Sequence, residues 1–196
     1  MPQLKMDYLN KYSEKKVFVE SGTYEGDTVQ TAIDFGFEEI HSIELLDKYY
    51  EMSKERFKNY PQVKIWKGDS PDILRDEIIP NLKHQATFWL DAHRSGKLEV
   101  PGSEKYGACP LVYEVTEIGK SKIKNHLIFA DDHRLFDTQG WDFLKKSDYI
   151  DAVLKINPNY KFTNLDGGFS FGRQFPDDDI FLAYIEWKRL LFGVQN

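Results

Sequence analysis

Short apolar runs alternate with segments of helical periodicity along this chain. Five runs rich in Val, Ile, Phe and Leu predict buried strands, at residues 16–20, 40–44, 63–66, 86–90 and 126–130. A helical pattern or a helix start follows each of these runs. The alternation is typical of βαβ units, and it predicts a parallel sheet with helices packed against its faces.

The remaining pattern completes one domain. Ser70 is expected to cap the third helix, with Pro71 in its first turn. The other predicted elements are helices over 28–37, 47–59, 111–122 and 141–154 and late strands over 160–163 and 180–187. Five βα units and two terminal strands predict a single doubly wound α/β domain that spans residues 1–196, with an N-terminal arm over 1–14.

Composition narrows the class of protein. The 196 residues include 26 Lys and Arg against 32 Asp and Glu, a formal net charge of −6, and such an acidic chain is poorly suited to coating DNA or RNA. The single cysteine, Cys109, excludes an internal disulfide and a zinc site built on several cysteines. No apolar segment approaches the roughly 18 residues that a membrane span needs. The sequence therefore predicts a cytoplasmic protein with no nucleic-acid or membrane partner.

Acidic residues or glycines follow all five of the first predicted strands. Ligands of open parallel sheets bind beyond the carboxyl ends of the strands. Asp and Gly also favour turns, but their recurrence at five strands exceeds what turns alone need. We therefore expect the ligand site at this edge of the sheet. The segments concerned are Glu20-Ser21-Gly22, Glu44, Gly68-Asp69, Asp91-Ala92-His93 and Asp131-Asp132-His133.

The turn after the first strand, residues 21–27, favours a ligand other than a dinucleotide. Gly22 and Gly26 allow the backbone to bend sharply and to approach a ligand closely, but they do not form the G-x-G-x-x-G pattern. Glu20 and Glu25 would repel a pyrophosphate and attract a cationic or zwitterionic ligand. A tight turn without any ligand is the alternative.

Two acids after the next strands suit the parts of a nucleoside. Glu44 ends the second strand, where a carboxylate commonly accepts hydrogen bonds from the two hydroxyls of an adenosine ribose. Asp69 follows the third strand and could accept a hydrogen bond from an adenine amino group. The alternatives are a solvated carboxylate for Glu44 and a helix cap for Asp69.

Four segments in register resemble the motif series of class I S-adenosylmethionine-dependent methyltransferases: VFVESGTYEGDT, IHSIELLD, VKIWKGDS and ATFWLDAH, within about residues 15–133. The resemblance implies a Rossmann-like domain with a mostly parallel seven-stranded sheet, an antiparallel strand near the C-terminus, and S-adenosylmethionine as cofactor. The first motif departs from the family because it lacks the frequent G-x-G. The residues that the resemblance places around the cofactor are Glu20, Ser21, Gly22, Thr23, Tyr24, Gly26, Glu44, Gly68, Asp69, Ser70 and Asp91.

Three acids after the fourth and fifth strands predict a metal site. Asp91, Asp131 and Asp132 would form a cluster of like charges, which is unfavourable unless a cation neutralises it or a proton is taken up. Carboxylate oxygens suit Mg²⁺, Mn²⁺ or Ca²⁺, and we expect Mg²⁺ or Mn²⁺. The pattern is similar to that of metal-dependent O-methyltransferases of the catechol type and of the macrocin, or macrolide-sugar, type. The alternative is that Asp131 caps the next segment and Asp132 faces solvent.

Two histidines beside these acids are candidate bases. His93 and His133 each lie within two residues of an acid of the cluster, so either could accept a substrate proton, with Asp91 as the third candidate catalytic residue. Arg94 and Arg134 are interpreted as surface residues. The acidic run at 177–179 is interpreted as a solvated turn.

The predicted activity is O-methylation of a sugar or glycan hydroxyl, with metal assistance. The acceptor would be held by the loop 94–109, the arm 1–14 and the region of Gly167 and Gly168. The abrupt N-terminal start is consistent with one domain of a larger glycan-processing enzyme. The alternatives are a phenol or catechol O-methyltransferase and a non-catalytic Rossmann-like nucleotide-binding module; the acidic first turn disfavours an oxidoreductase.

Overall fold

The computed structural model of the chain describes residues 4–94, 102–166, 169–170, 173–174 and 178–186. Its strands are β1 (Val17–Ser21), β2 (Glu39–Glu44), β3 (Val63–Lys67), β4 (Ala86–Leu90), β5 (Leu127–Ala130), β6 (Lys161–Leu165), β7 (Phe169–Ser170), β8 (Arg173–Gln174) and β9 (Ile180–Tyr184). Its α-helices are α1 (Met6–Tyr12), α2 (Asp27–Phe35), α3 (Asp47–Arg56), α4 (Ser70–Ile73), α5 (Leu111–Ile118) and α6 (Lys146–Ile156). Among the described helices, none has the length and hydropathy needed to cross a bilayer.

Seven strands form one sheet in the order β3-β2-β1-β4-β5-β9-β6. The pairs from β3 to β5 are all parallel, whereas β9 runs antiparallel to both β5 and β6. The predicted doubly wound α/β domain, mostly parallel with an antiparallel strand near the C-terminus, is confirmed. A separate antiparallel pair, β7 and β8, lies between β6 and β9 along the chain, where no strand is predicted.

Apolar side chains fill both sides of the sheet because successive residues of a strand point to opposite faces. In β1, Val17 and Val19 belong to one core cluster, with residues of α5 and α6, and Phe18 belongs to the other, with residues of α2. Burial on both faces explains why the strands read as nearly continuous apolar runs.

The predicted arm contains a helix. In α1, Leu9 is fully buried in the core cluster on the α2 side of the sheet. Lys5 forms an ion pair with Asp166, and the Tyr8 hydroxyl donates a 2.8 Å hydrogen bond to the Asp166 carbonyl, beyond the end of β6. These contacts fix α1 beside the carboxyl edge of β6.

Several predicted boundaries differ from the structure. Ser70 is the first helical residue rather than the cap; Asp69 is the N-cap, and its side chain makes no capping bond. The helix predicted from residue 141 begins only at Lys146, because Asp142 and Phe143 adopt left-handed backbone conformations with φ of 50° and 57°. The last strand ends at Tyr184, and residue 187 lies outside the described part of the chain.

Candidate active site

The carboxyl ends of the central strands adjoin at one edge of the sheet. The backbone register pairs Ser21 of β1 with both Ile43 and Leu90, and Leu90 with Ala130. The next residue along each of these strands is Gly22, Glu44, Asp91 and Asp131 respectively. The strand order changes direction between β1 and β4, which is where open α/β sheets bind ligands. The backbone register therefore confirms the prediction that these residues share one edge of the sheet.

Only glycine fits at position 22, in the turn after β1. Gly22 has a φ of 86°, and a Cβ there would lie 2.5 Å from the carbonyl oxygen of Asp91. The same backbone donates a 2.9 Å hydrogen bond from the Gly22 N–H to the Ile43 carbonyl. The turn therefore lies directly against the end of β4, which brings the first motif and the acid cluster together.

Glu20 belongs to a buried hydrogen-bonded chain behind this turn. The Ser42 hydroxyl donates to the Glu20 carboxylate at 2.5 Å, and Thr23 Oγ1 lies 2.6 Å from Ser42 Oγ. Burial raises the pKa of Glu20 well above its usual range, and the charge of Asp91 raises it further. The backbone of the turn is thus anchored to β2 through two hydroxyl groups.

Glu44 connects two loops. Its Oε2 accepts a 2.8 Å hydrogen bond from the Tyr24 N–H, and its Oε1 accepts one of 2.8 Å from the Leu46 N–H. Burial raises the pKa of Glu44, while these backbone donors act in the opposite direction. Glu44 is buried, so the alternative of a freely solvated carboxylate is wrong.

The third motif is attached to the second through the backbone. The Gly68 N–H donates a 3.0 Å hydrogen bond to the Glu44 carbonyl, and Asp69 follows at the start of α4. Asp69 as a residue is half-buried. The alternative prediction for Asp69, a side-chain cap on α4, is wrong, because its side chain makes no capping hydrogen bond.

The acid cluster contains a three-residue group with the spacing of metal ligands. One ligand atom each from Asp91, His93 and Asp131 lies within 4.8 Å of the other two. Asp131 is 1% exposed, and neither of its carboxylate oxygens has a hydrogen-bond partner among the described residues. Burial, together with the charges of Asp91 and Asp132, raises the pKa of Asp131 well above its usual range.

His93 lies between two acids. Its Nε2 is 3.0 Å from Asp91 Oδ1 and 3.2 Å from Asp132 Oδ2, and its ring packs against Trp141 with 5.4 Å between the centroids. Burial by itself would lower the pKa of His93, but Asp132 and Asp91 raise it well above the ordinary value. The ring therefore favours its imidazolium form while both carboxylates are charged.

Asp132 points into a second set of contacts. It has a left-handed φ of 52°, and its Oδ1 accepts a 2.6 Å hydrogen bond from Arg134. Arg134 also forms an ion pair with Asp179, and its backbone N–H donates to the same carboxylate at 3.1 Å. Asp179 is fully buried. The interpretations of Arg134 as a surface residue and of 177–179 as a solvated turn are therefore wrong for Arg134 and Asp179; residue 177 is outside the described residues.

His133 lies apart from the three-residue group. Its ring packs against Phe136 and Phe181, with centroid separations of 5.7 Å and 5.1 Å. Burial lowers the pKa of His133, and the charged groups that act on it are Lys146 and Asp178. Of the two histidines, His93 is the one that the fold brings to the acids; a catalytic role for either stays a prediction.

Sequence reasoning missed one buried acid, Glu114 of α5. It is 1% exposed, and burial raises its pKa to about 7, with a further contribution from Asp91. The signal was present in the sequence: residues 111, 115 and 118 are apolar, and position 114 belongs to the same helical stripe. An acid on the apolar stripe of a helix indicates a buried carboxylate.

Part of the expected acceptor loop is attached to α4. Asp72 accepts hydrogen bonds of 2.8 Å from the Lys105 ammonium and 2.7 Å from the Tyr106 hydroxyl. These bonds lower the pKa of Asp72 to about 2. Residues 95–101 of the loop, and Gly167 and Gly168, are outside the described residues.

Comparisons with known proteins give a structural relationship only. No family model and no curated protein matches the sequence. Among solved structures, an O-methyltransferase from Bacillus cereus in complex with S-adenosylhomocysteine has a TM-score of 0.54 and 14% identity, over 87% of this chain and 74% of that one. A Staphylococcus aureus protein assigned as a caffeoyl-CoA O-methyltransferase has a TM-score of 0.57 and 14% identity, over 92% of this chain and 80% of that one.

A third match shows that the fold serves more than one reaction. Spermidine synthase from Thermotoga maritima has a TM-score of 0.51 and 12% identity, over 86% of this chain and 52% of that one. TM-scores above about 0.5 establish a common fold, but at such low identities the reaction has to be inferred from the residues of the site. The chain therefore has the Rossmann-like methyltransferase fold, with a mostly parallel seven-stranded sheet and an antiparallel C-terminal strand.

Proposed function

We propose that this chain is an S-adenosylmethionine-dependent O-methyltransferase that acts on a hydroxyl of a sugar or glycan with the help of a divalent cation. The observation that carries the proposal is the juxtaposition, at one sheet edge, of Glu44 with the group Asp91, His93 and Asp131. The first suits a nucleoside and the second suits a metal. The structures of similar fold that hold S-adenosylhomocysteine add support.

Glu44 has the remaining capacity that a ribose requires. Each carboxylate oxygen can accept about two hydrogen bonds, and each oxygen of Glu44 accepts one from a backbone N–H. One acceptor position per oxygen is then left for the two ribose hydroxyls. Because the N–H groups of Tyr24 and Leu46 already fix the carboxylate, donor binding costs little further side-chain entropy.

The residues of the acid cluster fit a divalent cation. Asp91, His93 and Asp131 offer two carboxylates and one imidazole, a ligand set that suits Mn²⁺ better than Mg²⁺, because the harder ion prefers oxygen ligands. This set replaces the expected Asp132 with His93. Such a cation would fix a substrate hydroxyl and lower its pKa. The other ring nitrogen of His93, Nδ1, lies 3.1 Å from the Arg94 carbonyl oxygen, and a hydrogen bond donated to that oxygen would orient the ring.

Aromatic rings beside His93 and around the expected acceptor loop favour a sugar acceptor. Trp141 packs on His93, and Phe143, two residues further on, is 64% exposed. Tyr106 and Tyr113 pack against each other, with 5.1 Å between the ring centroids. Amphipathic rings beside carboxylates suit a ligand that carries both C–H faces and hydroxyls. The protein would hold the hydroxyl oxygen in line with the donor methyl and exclude water.

Transfer of a labelled methyl group tests the proposal. Purified protein is incubated with labelled S-adenosylmethionine, Mn²⁺ or Mg²⁺, and panels of saccharides and catechols, and products are identified by mass spectrometry. We expect a labelled saccharide, and no product in chelator or with Asp131→Asn. Asp148→Asn, an exposed acid in α6, is the matched control and should retain turnover.

The other outcomes discriminate between the alternatives. Label in a catechol would move the acceptor to the phenolic class. Turnover that persists in chelator would remove the cation from the proposal. Binding of S-adenosylhomocysteine without any turnover on either panel would favour the non-catalytic binding module.

A further inference from the structure

One exposed aromatic residue has a backbone conformation that is unfavourable for its side chain. Phe143 follows a short 3₁₀ turn at Gln139–Trp141 and has a φ of 57°, and Asp142 before it has a φ of 50°. Left-handed backbone is uncommon for residues other than glycine, and it is rarest for those with bulky side chains. Two such residues in succession, neither of them glycine, indicate a segment that the surrounding structure holds under strain.

Phe143 also gains little from burial. Of the large apolar side chains that the structure describes, it is the most exposed, at 64%. The apolar residues on either side of it behave differently: Trp141 is 2% exposed, and Leu144 packs against the same core cluster as Trp141. The strain at Phe143 is therefore not offset by burial of its ring, and strain that persists in this way is typical of a functional position.

Hydrogen bonds at both ends hold the strained segment in place. The Asp137 N–H donates to the Leu144 carbonyl at 2.9 Å. The Phe143 N–H donates to the Thr138 carbonyl at 2.9 Å, and the Thr138 hydroxyl donates to the Leu135 carbonyl at 2.7 Å. The backbone of Phe143 is thus fixed in the free protein, so a molecule that binds to its ring does not have to order the loop.

The segment lies between the acid cluster and the expected acceptor loop. On one side, Trp141 packs on the ring of His93. On the other side, Asp142 Oδ2 accepts a 2.8 Å hydrogen bond from the N–H of Ala108, which belongs to the loop 94–109. Phe143 is the next residue after Asp142, so the chain places it where the acceptor is expected.

We propose that Phe143 binds the acceptor by stacking its ring on the C–H face of a sugar ring. The inference rests on the proposed function, since it assigns a residue to the acceptor of the same reaction. An aromatic face suits an apolar C–H surface, and the exposed carboxylate of Asp142 offers oxygens to the hydroxyls at the rim of the sugar. The strained backbone keeps the ring exposed while no acceptor is bound. Phe143 is then a specificity-determining residue for saccharides.

Unfolding by denaturant tests the strain at position 143 without any ligand. Glycine adopts a left-handed conformation without the steric cost that alanine meets, so Phe143→Gly should unfold at a higher denaturant midpoint than Phe143→Ala. Met52, an exposed apolar residue inside α3, is the matched control. Glycine is unfavourable inside a helix, so Met52→Gly should unfold at a lower midpoint than Met52→Ala. The same order at both positions would contradict the strain on which the inference depends.

Kinetics of methyl transfer test the role of the ring. The probes are methyl glycosides of glucose, galactose, mannose and rhamnose, as monosaccharides and disaccharides, with catechol as the phenolic acceptor. We expect Phe143→Ala and Phe143→Leu to raise the KM for the saccharides that wild type methylates by about tenfold to hundredfold. Phe143→Tyr keeps an aromatic face and should keep the wild-type KM. The kcat should change little, because stacking binds the ground state and the transition state equally, and Met52→Ala should alter neither constant.

The outcomes separate the inference from the proposed function. A wild-type KM in Phe143→Ala would overturn the inference and leave the proposed function in place, as would a rise in KM for catechol alone in a protein that also methylates saccharides. Weaker calorimetric binding of S-adenosylhomocysteine by Phe143→Ala would assign the ring to the donor and contradict the proposal. Wild-type protein that methylates no saccharide probe would overturn the proposed acceptor and this inference together.

Discussion

At the scale of single residues, the site is marked by carboxylates that burial keeps from ionising easily. Glu20, Glu114 and Asp131 each have a pKa raised by burial as the largest cause. Clusters of this kind are more common at functional sites than elsewhere, because a ligand offsets their cost. The same cost makes them measurable through stability.

Asp131→Asn should stabilise the protein in the absence of metal. The substitution keeps the shape and removes a buried charge whose oxygens have no partner among the described residues. The gain should be about 1–3 kcal/mol. Because the folded-state pKa is raised, the wild-type disadvantage should grow as pH rises. Denaturant unfolding in chelator at about pH 6 and about pH 9 measures both effects, and a destabilised variant would mean that Asp131 has a structural partner.

Glu114 should make stability depend on pH between about 4.5 and 7. Its pKa is raised from 4.5 to about 7 in the folded state, so its contribution is fully present below the lower value and is lost as pH rises through the upper one. The loss should be about 3 kcal/mol. The difference in unfolding free energy between wild type and Glu114→Gln, followed across this range, isolates it. A flat difference would show that Glu114 ionises as it does in water.

Glu44→Ala should weaken donor binding and lower stability together. Loss of two charge-assisted hydrogen bonds to ribose should reduce S-adenosylhomocysteine affinity at least about tenfold. The N–H groups of Tyr24 and Leu46 also lose their acceptor, which should lower the unfolding free energy by about 1–3 kcal/mol. Glu39→Ala, in the same strand with an exposed side chain, is the control for affinity. Full affinity in the Glu44 variant would remove this residue from the donor site.

At the scale of elements, the residue before β9 helps to position one acid of the site. Asp179, just before β9, forms an ion pair with Arg134. Arg134 forms a second ion pair with Asp132, which follows β5. The antiparallel pairing of β5 with β9 brings these residues together although they are far apart in sequence. The terminal strand thus affects the orientation of the acid beside His93.

Arg134→Ala should destabilise the protein by about 2–4 kcal/mol. Removing one partner of a buried ion pair leaves the other charge without compensation, and Asp179 is fully buried. The value is at the low end for buried pairs because the Arg134 side chain is 28% exposed. Arg75→Ala, which breaks exposed surface pairs with Asp72 and Asp76, should lower the unfolding free energy much less, because water screens such pairs. Equal unfolding free energies for the two variants would contradict the supporting role of Arg134.

At the scale of the whole molecule, charge argues for a small acceptor. The net charge is −6, so the overall field of the protein repels polyphosphate chains. Binding of the protein to duplex DNA or RNA at physiological salt should therefore be negligible in gel-shift titrations. A sub-micromolar dissociation constant would overturn the small-acceptor proposal and favour a nucleic acid as the methylated substrate.

The sequence by itself determined the class of the fold and the edge of the sheet at which the site lies. Buried strands produce apolar runs and amphipathic helices produce a 3.6-residue period, so local pattern was sufficient for the element order. The acids at the strand ends followed, because parallel strands align their carboxyl ends. Glu44, Asp91 and Asp131 are predicted on that basis and lie at the same edge of the sheet in the structure.

Only the tertiary structure decided which side chains meet. A left-handed φ at Asp132 turns its carboxylate toward Arg134, so His93 takes its place beside Asp91 and Asp131. Asp179 and Glu114 enter from other elements, across separations that no local pattern spans. The physical reason is that the direction of a side chain depends on the backbone dihedral angles and on packing against distant segments, whereas a strand or helix depends mainly on its own periodicity.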